Sequence, residues 1–182
     1  MIDTRLIHHL IQEQVLKSNN DYWISKLKFS GITIHIAIMV EPYLSRLLNG
    51  EKTIESRFSV NMVAPYKKIK EGDIVLLKKT GGAIKGLFEA SKVRFFELDQ
   101  NTITNVNLLK ERFNDRLVIE DDFWEKKRNS NYATLIEVSN LLIINPIDIT
   151  FRNRQSWIIF NQSIDQISIY DYEDENDYLY NR

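Results

Sequence analysis

The chain has 182 residues, of which 43% are hydrophobic, 27% charged and 11% aromatic. This composition provides apolar material for one sizeable core and excludes disordered, fibrous and linker-dominated chains. Cysteine is absent, which excludes disulfides, thiolate nucleophiles and cysteine zinc sites. The first residues lack a basic segment followed by an apolar one, and no apolar run approaches the roughly 18 residues of a membrane span. We therefore expect a cytoplasmic protein with no membrane partner.

A net charge of −1 hides an asymmetry along the chain. Residues 64 to 94 carry a net charge of +5, whereas residues 161 to 182 carry −5. A basic stretch beside aromatic residues is typical of polyanion binders, because lysine and arginine release counterions from phosphates. Solvated lysines at strand edges are the alternative interpretation. The acidic end is a candidate intramolecular mimic of a polyanion.

Residues 1 to 28 are predicted to be helical, because apolar residues recur at helical spacing at Ile7, Leu10, Ile11 and Val15. We interpret this segment as an appended arm that covers a sheet or pairs two copies of the chain as a homodimer. His8 and His9 lie in it, and His35 is the only other histidine. Such scattered histidines predict no metal site, and we expect no cofactor.

From Gly31 onward the pattern becomes that of strands and short helices. Isoleucines alternate from Ile32 to Ile38, which is typical of a half-buried strand. The further predicted elements are a short helix opened by Glu41-Pro42, continuing over 43–49 and capped by Gly50, strands at 53–59, 74–77 and 84–96, helices at 106–113 and 121–128, and strands at 133–144 and 157–160. They predict an α+β fold with a small, partly closed β-barrel, flanking short helices and the N-terminal helical arm. We expect the arm at 1–30, the domain at 31–162 and the acidic C-terminal tail at 163–182.

A charged motif opens the second predicted strand. In an extended chain, Thr53, Glu55 and Arg57 project to one face. Glu55 and Arg57 can pair with each other, or Arg57 can present a planar fork to a phosphate or a base edge. Lys52 adds a cation beside them. A structural salt bridge at the barrel rim is the alternative.

The run from Leu48 to Arg57 resembles the signature of the ASCH domain family, Gly-x-Lys-x-x-Glu-x-Arg. Its setting is also similar, with Gly72-Asp73 before an apolar strand and an Ile84-x-Gly86-x-Phe88 strand after it. The resemblance covers roughly residues 32 to 160. It implies a PUA-like barrel with a cleft that binds RNA or a modified nucleoside or nucleotide.

The resemblance also implies an alternative function as a hydrolase, because some ASCH proteins are N4-acetylcytidine amidohydrolases and others are reported as ribonucleases. Those amidohydrolases use Lys-x-x-Thr, whereas this chain has Glu55 at the position of the threonine. Their further catalytic glutamate lies in the helical insertion, where Glu111, Asp115 and Glu120 are candidates. If the chain is an enzyme, Lys52 and Glu55 are its expected catalytic pair.

Two more stretches are candidate parts of the same binding site. Lys78 and Lys79 flank a Gly-Gly hairpin and can extend a phosphate-tracking surface. Arg154 can contact a phosphate and Trp157 can stack on a base. Their alternatives are solvated edge lysines and a core tryptophan. A third possible function, a protein interaction scaffold, depends on the helical arm and the acidic tail.

Overall fold

A computed structural model describes residues 4–29, 31–99, 105–149 and 155–160. Arg154 and the acidic tail, for which the sequence predicts roles, lie outside the described residues. No helix in the described ranges is both long and apolar enough to cross a membrane.

The elements follow the order that the sequence predicts. In chain order they are α1 Thr4–Lys17, α2 Asp21–Lys26, β1 Ile34–Met39, α3 Tyr43–Leu48, β2 Ile54–Ser59, β3 Ile74–Lys79, β4 Ile84–Glu97, α4 Val106–Leu117, α5 Asp121–Lys127, β5 Tyr132–Ile147 and β6 Trp157–Phe160. The Gly81-Gly82 turn closes the antiparallel β3–β4 hairpin, as predicted. The α+β prediction is therefore confirmed.

One mixed sheet joins all the described strands in the order β2-β5-β4-β3-β1-β6. Only β1 and β3 pair in parallel, and the other neighbours are antiparallel. The two longest strands, β4 and β5, lie side by side with register shifts near Leu87 and Ala90. Such irregularities bend strands and increase their twist, which allows the sheet to curl into a partly closed barrel.

The strand β1 is buried on both faces. Ile34 and Ile36 lie in one hydrophobic core, and Ala37 and Met39 lie in a second core across the sheet. The prediction of a half-buried strand is wrong on this point. His35 and Ala37 resemble a solvent face in sequence, yet both are 0% exposed because β1 is an inner strand covered on both sides.

The helices α1 and α2 pack against this sheet. Ile7, Ile11 and Val15 of α1 and Trp23 of α2 lie in the same core as Ile36. The predicted helical arm thus covers the sheet of its own chain. Its separation as a segment at 1–30 and its pairing of two copies stay predictions.

The helical insertion between β4 and β5 forms a third core. Leu109 and Leu117 of α4 and Trp124 of α5 pack with Ile54 of β2 and Leu135 of β5. The α4–α5 junction is fixed by Asn114, whose Oδ1 accepts hydrogen bonds from the Ile119 backbone N–H at 3.2 Å and the Trp124 Nε1–H at 3.1 Å. This insertion places α5 beside the charged motif of β2.

Candidate functional site

A cavity of about 570 Å³ lies between β2, the end of β1, α3 and α5. Its volume is in the range of small-molecule sites. The lining consists of a charged group, an aromatic group and the surrounding backbone, formed by Ile38, Met39, Val40, Tyr43, Lys52, Glu55, Ser56, Arg57, Phe58, Ile119, Glu120, Asp122, Phe123, Lys126, Lys127 and Ser156. The structure therefore brings Lys52, Glu55 and Arg57 together, as the motif predicts.

The turn after α3 directs Lys52 inward. Gly50 has a φ of 82°, a left-handed conformation that glycine adopts without strain, and its N–H bonds the carbonyl of Leu47 at 3.1 Å. The chain then reverses, and the Lys52 backbone N–H donates to the Arg46 carbonyl at 2.9 Å. The lysine side chain consequently enters the interior, where it is 2% exposed.

The Lys52 amine is held by the protein itself. Its Nζ donates to the backbone carbonyls of Ile54 at 2.7 Å and Leu117 at 3.1 Å, and it lies 3.6 Å from Glu55 Oε2. Burial lowers the pKa of Lys52, and Glu55 opposes this change. With two donors engaged and the third close to Glu55, the amine orients the carboxylate and ties β2 to the end of α4.

Glu55 and Arg57 form the polar surface of the cavity. Arg57 Nε lies 2.9 Å from Glu55 Oε1, aligned as an ion pair but not as a hydrogen bond. Arg57 Nη1 donates to the carbonyls of Ile38 at 3.2 Å and Ser156 at 3.0 Å. Among the described residues, none accepts a hydrogen bond from Nη2 of Arg57. The guanidinium is thus fixed by two backbone carbonyls and by Glu55 while it lines the cavity.

Behind Arg57 lies a buried chain of hydrogen bonds. The Arg57 guanidinium lies 5.1 Å from the ring centroid of Trp157, which is a cation–π contact. Trp157 Nε1–H donates to His35 Nδ1 at 3.1 Å, so the proton of neutral His35 is on Nε2, where it faces Asp73 Oδ2 at 3.1 Å. Asp73 also accepts from the Thr33 and Lys70 backbone N–H groups.

An aromatic wall lies opposite the charged group. Phe123 of α5 makes edge contacts with Tyr43 at 5.6 Å and Phe58 at 6.0 Å between ring centroids. The Tyr43 hydroxyl donates to Glu120 Oε2 at 2.8 Å, and Arg46 Nη1 lies 2.5 Å from Glu120 Oε1. These contacts lower the pKa of Glu120, and burial together with Glu120 raises the pKa of Tyr43 to about 12.

Four other residues of the predicted binding site do not line the cavity. Thr53 is exposed, and its Oγ1 accepts from Arg116 Nε at 3.3 Å. Lys78 is 4% exposed, and its amine donates to the Gly82 carbonyl at the hairpin. Lys79 lies on that hairpin, 3.8 Å from Glu41. Trp157 is 3% exposed and supports Arg57 from behind, which leaves no open ring face for a base.

Several lining residues were missed by sequence reasoning. Tyr43, Phe58 and Phe123 read as apolar faces of their elements, and only the packing of α5 against β2 brings their rings to one wall. Of the three candidate carboxylates in the insertion, Glu120 lines the cavity and Glu111 and Asp115 do not. A signal for α5 existed in the adjacent Lys126 and Lys127, but no pattern linked them to the motif.

By sequence, the chain matches no protein-family model and no curated protein. Solved structures do match it. The crystal structure of ASCH from Zymomonas mobilis is 14% identical, with a TM-score of 0.55, and the match covers 71% of this chain and 88% of that one. Two point-mutant forms of the same protein give TM-scores of 0.55 and 0.57 at 14% and 13% identity, covering 72% and 75% of this chain and 92% and 94% of theirs.

Likeness at such low identity concerns the fold. It extends over most of both chains. The chain therefore has the fold of the ASCH domains, the PUA-like architecture that the motif predicts.

Proposed function

We propose that this protein binds RNA, or a modified nucleoside or nucleotide, by taking a base into the cavity beside β2. The observation that carries the proposal is the fixed Arg57 guanidinium, which lines the cavity next to the buried carboxylate of Glu55. Together they offer a donor and an acceptor side by side. A base edge offers the complementary pair, a ring carbonyl or nitrogen beside an amino or imino N–H.

The other wall supports the same proposal. Phe58, Phe123 and Tyr43 present aromatic surface to the cavity, and aromatic rings stack with bases in sequence-tolerant fashion at about 1 to 3 kcal/mol per base. Unstacked bases of single strands are the parts of RNA that proteins read by such contacts. A cavity with one polar wall and one aromatic wall therefore suits a splayed-out base.

A hydrolase is the second candidate, favoured by one observation. Burial lowers the pKa of Lys52, which lies 3.6 Å from Glu55 and lines the cavity, and a lowered lysine pKa favours acid–base chemistry near neutral pH. Against it, two backbone carbonyls accept hydrogen bonds from the Lys52 amine, and Thr53 does not line the cavity. Binding without turnover does not require the Lys52 amine to break its hydrogen bonds with these carbonyls.

The test is a fluorescence titration of short single-stranded RNA at several salt concentrations, with the wild-type protein and Arg57→Ala. We expect the variant to bind at least about tenfold more weakly, since hydrogen bonds to charged groups contribute about 1.5 to 3 kcal/mol. In parallel, chromatography after incubation with N4-acetylcytidine and with RNA detects any product, and turnover lost in Lys52→Ala would establish the hydrolase instead.

Arg94→Ala is the matched control. Arg94 is also partly buried and also pairs with a glutamate, Glu137 at 2.7 Å, but it does not line the cavity. We expect Arg94→Ala to bind RNA as the wild type does. Equal binding by wild type and Arg57→Ala, or equal losses in both variants, would contradict the proposal. Circular dichroism of each variant verifies that the fold is retained.

A further inference from the structure

Some of the cations at the cavity are paired with protein groups and others are not. Arg46 is neutralised by Glu120, Lys52 donates to two carbonyls beside Glu55, and Arg57 pairs with Glu55. Two cations remain, Lys126 and Lys127, both on the last turn of α5 and both lining the cavity. Neither side-chain amine makes an ion pair or a hydrogen bond with the residues that the structure describes.

These two lysines lie at the cavity rim. Lys126 is exposed while it lines the cavity, which places it at the opening. Lys127 is half-buried, and its Nζ lies 5.4 Å from the centroid of the Phe123 ring, one of the rings of the aromatic wall. The amine of Lys127 is therefore held over the Phe123 ring by a cation–π contact, at the aromatic wall of the cavity.

We infer that Lys126 and Lys127 form a phosphate subsite, so that an RNA strand enters the cavity past the end of α5. The inference rests on the proposed function and deepens it, because it gives the path of the backbone. Lysines act as strongly hydrated point charges that bind phosphate without fixed geometry, which suits a rim that follows a flexible strand. The basic hairpin at Lys78 and Lys79 is not part of this path, since its amines are directed to Gly82 and Glu41.

A neighbouring carboxylate provides an independent test of this phosphate subsite. Asp122 is exposed and lines the same cavity, one helical turn before Lys126. Its negative charge repels a phosphate bound by the two lysines. Asp122→Asn should therefore tighten RNA binding about twofold, whereas a carboxylate remote from the backbone path would have no such effect.

The experiment compares the salt dependence of RNA affinity in Lys126→Gln/Lys127→Gln and in a charge-matched control, Lys17→Gln/Lys28→Gln. Lys17 and Lys28 are exposed, do not line the cavity and lie outside the basic stretch 64–94. Because each phosphate neutralised on a single strand contributes about 0.7 to the slope of log affinity against log salt, we expect loss of this one phosphate subsite to reduce the slope by about 0.7. The control pair should leave it unchanged.

Each outcome decides the inference. An unchanged slope in Lys126→Gln/Lys127→Gln, with a fall in melting temperature only, would mean that the lysines stabilise the end of the α5 helix and nothing more. An equal reduction of the slope in the control pair would mean that the RNA backbone does not specifically follow the end of α5. In both cases RNA binding that depends on Arg57 would leave the proposed function intact, whereas a wild-type protein that does not bind RNA would overturn both.

Discussion

At the scale of single residues, a short motif builds a buried ion group. Lys52, Glu55 and Arg57 are close in sequence, but they reach the cavity wall in different ways. Lys52 enters from a turn, Glu55 is buried on β2, and Arg57 is held across the sheet by carbonyls of β1 and of the residue before β6. Each charge is satisfied by backbone or by a neighbour, which is the condition for burying charges.

Lys52→Met tests this ion group. We expect the free energy of unfolding to fall by about 3 kcal/mol, because the variant removes one partner of a buried pair and leaves two carbonyls without donors. Urea unfolding measures the change. Lys17→Met removes an exposed lysine and should cost no more than about 1 kcal/mol. Similar small losses in both variants would show that the amine of Lys52 contributes little.

The same variant has a pH signature. Burial lowers the pKa of Lys52 below its ordinary 10.5, so between the lowered pKa and 10.5 the unfolded chain binds a proton that the folded chain has released. Stability therefore rises with pH in that window. The stability gap between wild type and Lys52→Met should widen toward pH 10.5 and stay constant below the lowered pKa. A stability gap that narrows as pH rises would contradict a lowered pKa of Lys52 in the folded protein.

At the scale of elements, a polar chain links three neighbouring strands across the second core. Trp157 of β6 donates to His35 of β1, and His35 faces Asp73, the residue before β3. All three side chains are buried. A buried polar network is stable only when every member is satisfied, and this one is satisfied only if β6, β1 and β3 keep their registers. The short strand β6 is thereby tied to the sheet at the position that supports Arg57.

Trp157→Phe keeps most of the ring but removes the N–H donor to His35. We expect the free energy of unfolding to fall by about 1 to 3 kcal/mol, since a buried acceptor loses its partner. Trp124→Phe is the matched control, because Asn114 Oδ1 keeps its hydrogen bond from Ile119 N–H when the Trp124 donor is removed. Chemical unfolding compares the two. Equal losses would mean that ring volume, and not the His35 bond, determines the cost.

At the scale of the whole molecule, charge is distributed along the sequence in opposite blocks. The acidic residues of the C-terminal segment, at a net charge of −5, are connected to a domain whose cavity rim carries uncompensated lysines. An attached polyanion competes with RNA at a high effective concentration. The acidic tail therefore remains a candidate competitor for the proposed RNA-binding surface.

Deleting residues 171 to 182 tests this competition. We expect the truncated protein to bind single-stranded RNA severalfold more tightly at low salt, with the difference vanishing as salt screens the charges. The same titration as for the wild type measures it. Unchanged affinity at low salt would show that the acidic tail does not compete with RNA. A full-length variant with the five acidic residues of this segment replaced by amides separates charge from length.

Local patterns in the sequence determined the elements of this protein and the identity of its charged motif. Apolar spacing and turn residues are local, so α3, the Gly-Gly hairpin and the paired helices of the insertion follow from them. The Glu55–Arg57 pair also follows, because two residues apart on one strand share a face. The ASCH-like fold could be predicted only from the resemblance of the motif, because apolar spacing and turn residues indicate the fold class but not the family.

Tertiary structure alone decided what surrounds the motif. Burial of β1 on both faces, the aromatic wall and the place of α5 result from contacts between segments far apart in sequence, which leave no local pattern. The same contacts bury Trp157, for which the sequence also allowed a core position, and Lys78, for which it allowed only surface positions. Residue type states what chemistry a side chain can perform, but only packing determines whether a ligand can reach it.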